Sequence, residues 1–478
     1  MAEHDLLLRD ATLIDGTGAP RRRADVAIRG CTIAEVGSLD PARAARAVEL
    51  NGLALAPGFI DVHTHDDRLL LADPSMAPKL SQGVTTVVTG NCGISLAPLG
   101  MHEPVPPLNL VANGPAQRFD SFRAYFAALE ASPPAVNCAA LVGHTTLRVV
   151  HVQALDRPAT AAEIAAMQAG VAEALEAGAI GLSTGTYYAP ASAATADEVR
   201  RVAEPLRGTK ALIASHIRDE GERVLESMTE AMQIAAALGV RQVLSHHKVI
   251  GRANFGRSRE TLALLDEARR GADLCLDCYP YTASSTVLRK DAAAQAQRVL
   301  IAWSQARPQA AGRYLDQLAA DEGVAVEALI DALQPAGAIY FSMDEADVER
   351  ILAHPETMIG SDGLPHDAFP HPRLWGAFPR VLGHYARTRG LFSLEQAVHK
   401  MTGLPADRFR LPQRGRIAPG MHADLVVFDP ARIADAATYA QPTTPAGGID
   451  AVYVNGTLAW HQGRGTGARC GQLIRRAH

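Results

Sequence analysis

The chain of 478 residues lacks any run approaching ~18 uninterrupted apolar positions, so no transmembrane helix is expected. It also lacks the basic start and longer apolar core of a secretory leader. Its N-terminus reads MAEHDLLLRDATLIDG, with acidic residues at that place, so secretion is not expected and a cytoplasmic location is. Excess positive charge is missing too. Lys and Arg number 46 against 51 Asp and Glu, a formal charge of −5, which leaves no basic field for nucleic acid. Cysteine is scarce: Cys31, Cys92, Cys138, Cys275, Cys278 and Cys470 are too dispersed for a disulfide framework. Cys275 and Cys278 form a lone CxxC inside ADLCLDCYPY, an apparent buried strand, and read as structural cysteines. No glycine-rich phosphate loop is present, which disfavours a doubly wound open sheet.

What is present is a repeated unit. Between about 55 and 365 a short apolar run ends in polar or Gly residues and an Ala/Leu-rich helical stretch comes after it. The runs are LALAPGFIDVH (a buried strand over Leu55 to Val62), VTTVVTGNC, NCAALVGHTTLR, AIGLSTG, ALIASHIRDE, RQVLSHHKV, DLCLDCYPY and TMIGSDG. Helices are expected at 161–178, 219–239 and 258–271, and Ser342 with Glu345 matches a capping box. Strands alternating with helices in this way read as a parallel (β/α)8, TIM-like barrel. The gap after the seventh run is too long for an ordinary connection and is expected to hold a helical insertion, about 282–340, placed as a lid over the mouth. Residues 1–54 and 415–478 each carry short strand-like runs, too few for a stable sandwich alone. They are expected to pair as one small β-sandwich domain beside a barrel spanning 55–414.

The ends of these runs carry the chemistry. His63 and His65 lie two apart, and in a strand such residues share a face, so both imidazoles can grip one divalent ion. Cys92, His216, His246 and Asp362 end the second, fifth, sixth and eighth runs. All six are metal-ligand types, and all fall where a barrel gathers its catalytic loops. A thiolate with two imidazoles suits zinc. In SHHK, strand parity puts His246 and Lys248 toward the site and His247 toward the surrounding helices. His144, ending the third run, is a further candidate for a supporting or substrate contact.

PGFIDVHTH, GSDG and the closing GRIAPGMHADLVVFDP resemble the amidohydrolase superfamily. GNCGIS, SHHK, YPYTASST and GSDGLPHD with PHPRLWG are similar to the N-acyl-D-amino-acid deacylases (D-aminoacylases) within it. That resemblance covers nearly the whole chain. It implies a tight zinc site at Cys92, His216 and His246, and a weaker one at His63, His65 and Asp362 with Cys92 able to bridge. It assigns Lys248, Tyr279, Ser285 and Arg373 to the carboxylate and amide of a small-molecule N-acyl amino acid, and it alone carries the D-preference.

The expected reaction is zinc-dependent hydrolysis of a linear amide by metal-activated water. Asp362 takes the water's proton and returns it to the leaving amine. For the side chain of the substrate two readings stay open: Arg289 or Lys290 receiving an acidic group, or Met343 lining an apolar pocket. A hydantoinase-like cyclic amidase is the alternative, but the fourth run ends GLSTGTYY with no lysine to bridge two metals. A metal-free barrel scaffold would have lost ligand positions that are all present here.

Overall fold

The computed structural model describes residues 3–112 and 117–476. Eight parallel strands form the central sheet: β1 (Phe59–Asp61), β2 (Val84–Thr89), β3 (Asn137–Gly143), β4 (Gly181–Gly185), β5 (Leu212–His216), β6 (Arg241–Leu244), β7 (Leu274–Cys278) and β8 (Thr357–Ile359). Each pairs with the next in sequence. Between β1 and β8 the ring closes beyond the strands, where Thr64 bridges Gly363 and the Asp362 amide donates to the His63 carbonyl at 2.7 Å.

Each of the eight runs contributes one barrel strand, and their short apolar stretches follow from two-sided burial. Ile60, Val88, Leu141, Ala214, Val243 and Met358 fill the interior, and the helix Gly403–Phe409 packs against it. Phe59, Val87, Val142, Leu182, Ile213 and Leu276 face outward into the layer shared with the helices. Cys275 lies in the interior and Cys278 outside it, and burial pushes both thiols up to about 12.

The first run is not one strand. It divides at Gly58: Ala54–Pro57 belongs to a separate sheet and Phe59–Asp61 to the barrel. A Cβ at Gly58 would stand 2.2 Å from the Thr85 side chain, so the crossing needs glycine. The separate sheet has nine strands and unites both chain ends through Leu425–Phe428, antiparallel to Ala54–Pro57. Alternation divides its faces: Leu55, Leu425 and Val427 enter the sheet's own core, whereas Ala54, Ala56, Val426 and Phe428 pack toward the barrel.

The insertion differs from the helical segment expected. Ala283–Val287, Arg298–Ser304 and Ala336–Phe341 make a three-stranded antiparallel sheet, with the helices Leu315–Glu322 and Val326–Leu333 beside it. Its core, including Val299, Ile301, Leu318, Ile330 and Leu333, is its own. The alternation in RVLIAWS and AGAIYF is short and heavily apolar, so periodicity alone did not mark these as strands. The helix Glu345–Ala353 is capped by Asp344, whose carboxylate accepts from the Ala346 amide, and not by Ser342.

Gly90, just past β2, has φ +76°, and a Cβ there would lie 1.9 Å from the Leu141 carbonyl oxygen on β3. Gly90→Ala is expected to cost roughly 2–3 kcal/mol, seen as a lower midpoint in urea unfolding. An unchanged midpoint would mean that this approach of the two strands tolerates a side chain.

Candidate metal centre

All six ligand-type residues read from the strand ends converge. His63, His65, Cys92 and Asp362 form one group of facing donor atoms, and Cys92, His216 and His246 form a second, each within 4.8 Å, with Cys92 common to both. Cys92 Sγ lies 3.2 Å from His63 Nε2 and 3.3 Å from His246 Nε2, and His246 Nε2 lies 3.0 Å from His216 Nδ1. Asp362 Oδ1 faces His65 Nε2 at 3.3 Å and His63 Nε2 at 3.6 Å. Ligand bonds of ~2.0–2.3 Å around a tetrahedral ion set donor-to-donor edges of roughly 3.3–3.7 Å. The observed spacings and the thiolate–imidazole–carboxylate set therefore fit zinc.

The backbone explains the convergence differently from strand parity. β6 ends at Leu244, and His246 sits in a turn at φ +37°. That turn, rather than an extended strand, sends His246 inward and leaves His247 on the Thr261 hydroxyl at 2.8 Å. Cys92 (φ +55°) and Asp362 (φ +50°) are also left-handed. Three non-glycine residues in this sparsely populated region each carry local strain, which is stored where the surrounding fold over-determines the geometry.

Electrostatics ready the donors. Burial opposes ionisation of the Cys92 thiol, but the facing His63 and His246, with hydrogen bonds from His216 and His246, hold it well below the ordinary thiol range. Burial likewise opposes the Asp362 charge, which Arg373, His65 and His63 restore, so its carboxyl sits well below the usual range.

Three carboxylates missed by the sequence reading orient these groups. Glu220 Oε1 accepts from Lys248 Nζ at 2.6 Å and faces His246 Nδ1 at 3.3 Å and His216 Nε2 at 3.6 Å. Both rings thus turn their other nitrogen toward Cys92. Asp277 Oδ1 faces His63 Nδ1 at 3.2 Å and accepts the His246 amide at 2.8 Å. Asp61 accepts from the fully buried Lys79 at 2.8 Å and from the Ser361 amide at 2.8 Å, joining the β1 and β8 ends. An acid inside a buried strand, as in LCLDC, was the available signal, because such a group is rarely buried without a partner.

The remaining site residues divide. Arg373 is fully buried, donates to Asp362 Oδ2 at 2.9 Å and lies 4.5 Å from the Tyr279 ring centre. Its Nε and one terminal nitrogen, the Tyr279 hydroxyl and the Ser285 hydroxyl are buried without a partner. Ser285, Lys248 and Asp362 line the cavity over the donor cluster. Met343 and Arg289 are not brought there. Met343 packs in the barrel's outer core, while Ser342 and Tyr340 line the cavity instead. Arg289 pairs with Asp291, lies over Tyr187 and faces an adjoining cavity; Lys290 pairs with Asp331 at the surface. His144 lies 3.7 Å from Glu198, outside both donor groups.

Supporting partners of metal-bound histidines are worth roughly 10–100-fold in metal affinity. Glu220→Gln is expected to weaken zinc binding by that amount in a competition with a chromophoric chelator. Wild-type affinity in this variant would remove Glu220 from any orienting role.

Residues 46–459 match the Amidohydrolase family. The D-aminoacylase of Alcaligenes xylosoxydans xylosoxydans is 54% identical over 472 residues, covering 99% of this chain and 98% of that protein. The crystal structure of N-acyl-D-glutamate deacylase from Bordetella bronchiseptica, holding zinc and a phosphonate mimic of the tetrahedral intermediate, superposes with a TM-score of 0.95. It is 46% identical and covers 99% of this chain and all of that one. A D-hydantoinase at 16% identity and TM-score 0.61 shares the fold alone. The chain belongs to the amidohydrolase family, alongside the D-aminoacylases and N-acyl-D-amino-acid deacylases.

Proposed function

We propose that the protein is a zinc-dependent hydrolase of N-acyl-D-amino acids with neutral, apolar side chains. One observation carries the reading. The unpartnered donors of Arg373, Tyr279 and Ser285 are buried beside Asp362 and the donor cluster. Buried donors without partners are costly, and a planar guanidinium with two hydroxyls matches a carboxylate. A substrate carboxylate held there sets its amide against the cluster. The D-configuration rests on the relatives, which act on D-amino-acid derivatives by name.

We assign the tight zinc site to Cys92, His216 and His246, and a weaker one to His63, His65 and Asp362. Bound zinc supplies a Lewis acid and water acidified to a pKa of roughly 7. Asp362 Oδ1, the carboxylate oxygen turned toward the donor cluster, takes the proton of the attacking water and passes it to the amide nitrogen, while Arg373 holds Oδ2. With Arg373 and His65 against it, Asp362 is ionised at the outset and starts as a base.

Side-chain preference follows from the cavity wall. Leu110, Ile250, Ala292, Tyr340 and Leu364 give it apolar wall, and Lys248, the one Lys or Arg among the described lining residues, is paired with Glu220. An acidic side chain would enter without a counter-charge, at a large desolvation cost. Arg289, spent on Asp291, does not supply one.

On zinc-loaded protein, N-acetyl-D-leucine and N-acetyl-D-methionine are expected to exceed N-acetyl-D-glutamate and both L-enantiomers in kcat/KM by ~100-fold or more. A preference for glutamate would overturn the side-chain assignment, and hydantoin opening would overturn the reaction. Asp362→Asn is expected to lose ~10²–10⁴-fold in kcat or more with the fold intact. Near-normal turnover would exclude it as the base.

A further inference from the structure

We propose that the cavity behind Tyr187 and Tyr188 is a subsite for an aliphatic acyl chain, so that the enzyme favours N-acyl groups longer than acetyl. This rests on the reaction proposed above and extends it to the part of the substrate opposite the carboxylate.

The donor groups set a direction. Asp362 belongs to one group and His216 to the other, with Cys92 between them. The carboxylate clamp is bonded to Asp362. At the far end His216 is covered by aromatic rings, its centre 5.0 Å from those of both Tyr187 and Tyr188. A substrate held by its carboxylate at Arg373 therefore presents its acyl end toward these two tyrosines.

Space limits where an acyl chain can lie. The chamber over the donor cluster has about 40 Å³ of open space, and the proposed function already commits it to the amino-acid part of the substrate. An acyl chain longer than acetyl needs further room. Tyr187 and Tyr188 also line a second cavity of about 420 Å³, within the range of small-molecule sites. Two further walls run continuously from one to the other. Ser284 to Thr286 line the inner chamber and Val287 to Arg289 the outer one; Leu110 lines the inner and Asn109 and Pro107 the outer. Tyr187 and Tyr188 are the described residues common to both, with the Tyr188 hydroxyl 3.1 Å from that of Thr286.

Chemistry names the occupant. Pro106, Pro107, Val287, Leu288 and Pro335 give the outer cavity apolar walls, and Asn109, Ser192 and Gln334 are its neutral polar members. The one cation among its described lining residues, Arg289, is neutralised by Asp291 and stacked on Tyr187. A neutral, extended hydrocarbon fits this better than a second anion.

The test uses zinc-loaded protein and two series. In the first, kcat/KM is measured for N-acetyl-, N-butanoyl-, N-hexanoyl- and N-octanoyl-D-leucine. In the second, calorimetry follows binding of the product acids from butanoate to octanoate, with no turnover. Affinity and kcat/KM are expected to rise with length, by up to about fourfold per fully buried methylene. Ala189 and Ser192 line the outer cavity and are exposed. Ala189→Trp is expected to abolish the rise while leaving N-acetyl-D-leucine turnover within about twofold, and Ser192→Trp provides an independent block. Rising acid affinity that either block removes, without amide cleavage, would keep the subsite and overturn the reaction. Cleavage of acetyl substrates with a flat or falling length dependence, or a rise that neither block affects, would overturn the subsite.

Discussion

The hydrogen bond from the Asp362 amide to the His63 carbonyl is the contact on which the site depends. β1 and β8 are three residues long each and do not pair along their length. The barrel is completed one step later, by residues that themselves face the metal position. Closure of the fold and assembly of the donor set are therefore one event. The buried Lys79 reinforces it by holding Asp61 at the end of β1 and Ser361 just past β8, and by sitting 3.2 Å from Asp66. A cation with several polar partners is tolerable in a dry interior, where a lone one is not.

Around that seam the structure places charge against burial. Cys92 and Asp362 lie in surroundings that disfavour anions, and both are held ionised by cationic or protonatable neighbours. Behind them Glu220 and Asp277 fix which nitrogen each ring offers. Such supporting partners orient the rings of a metal-bound histidine and raise its affinity for the ion.

Much of this was legible in the sequence, for definite reasons. Barrel strands buried on both faces are short apolar runs, and catalytic groups collect at their C-terminal ends, so the runs and the six donors stood out together. Where the reading departed from the fold, local pattern was ambiguous. Ala54–Asp61 is uniformly buried, and nothing in its hydrophobicity marks the change of sheet at Gly58. The insertion strands are apolar runs like any other. His246 was placed on the right side for the wrong reason, since a left-handed turn cannot be inferred from alternation. Arg289 was plausible by position, but a cation's partner is a three-dimensional fact, and Asp291 claims it.

The pairing of Leu425–Phe428 with Ala54–Pro57 bears on how the chain is made. A ribosome releases Ala54–Pro57 some 370 residues before the strand that covers its edge. Until then Ala54–Pro57 offers an unpaired, apolar border directly continuous with the first barrel strand. Such a border is a template for pairing with another chain, and contacts so distant in sequence form slowly. Nascent copies on one message therefore share an interval before the later segment covers the earlier one, and chains cut short before residue 425 keep that border open.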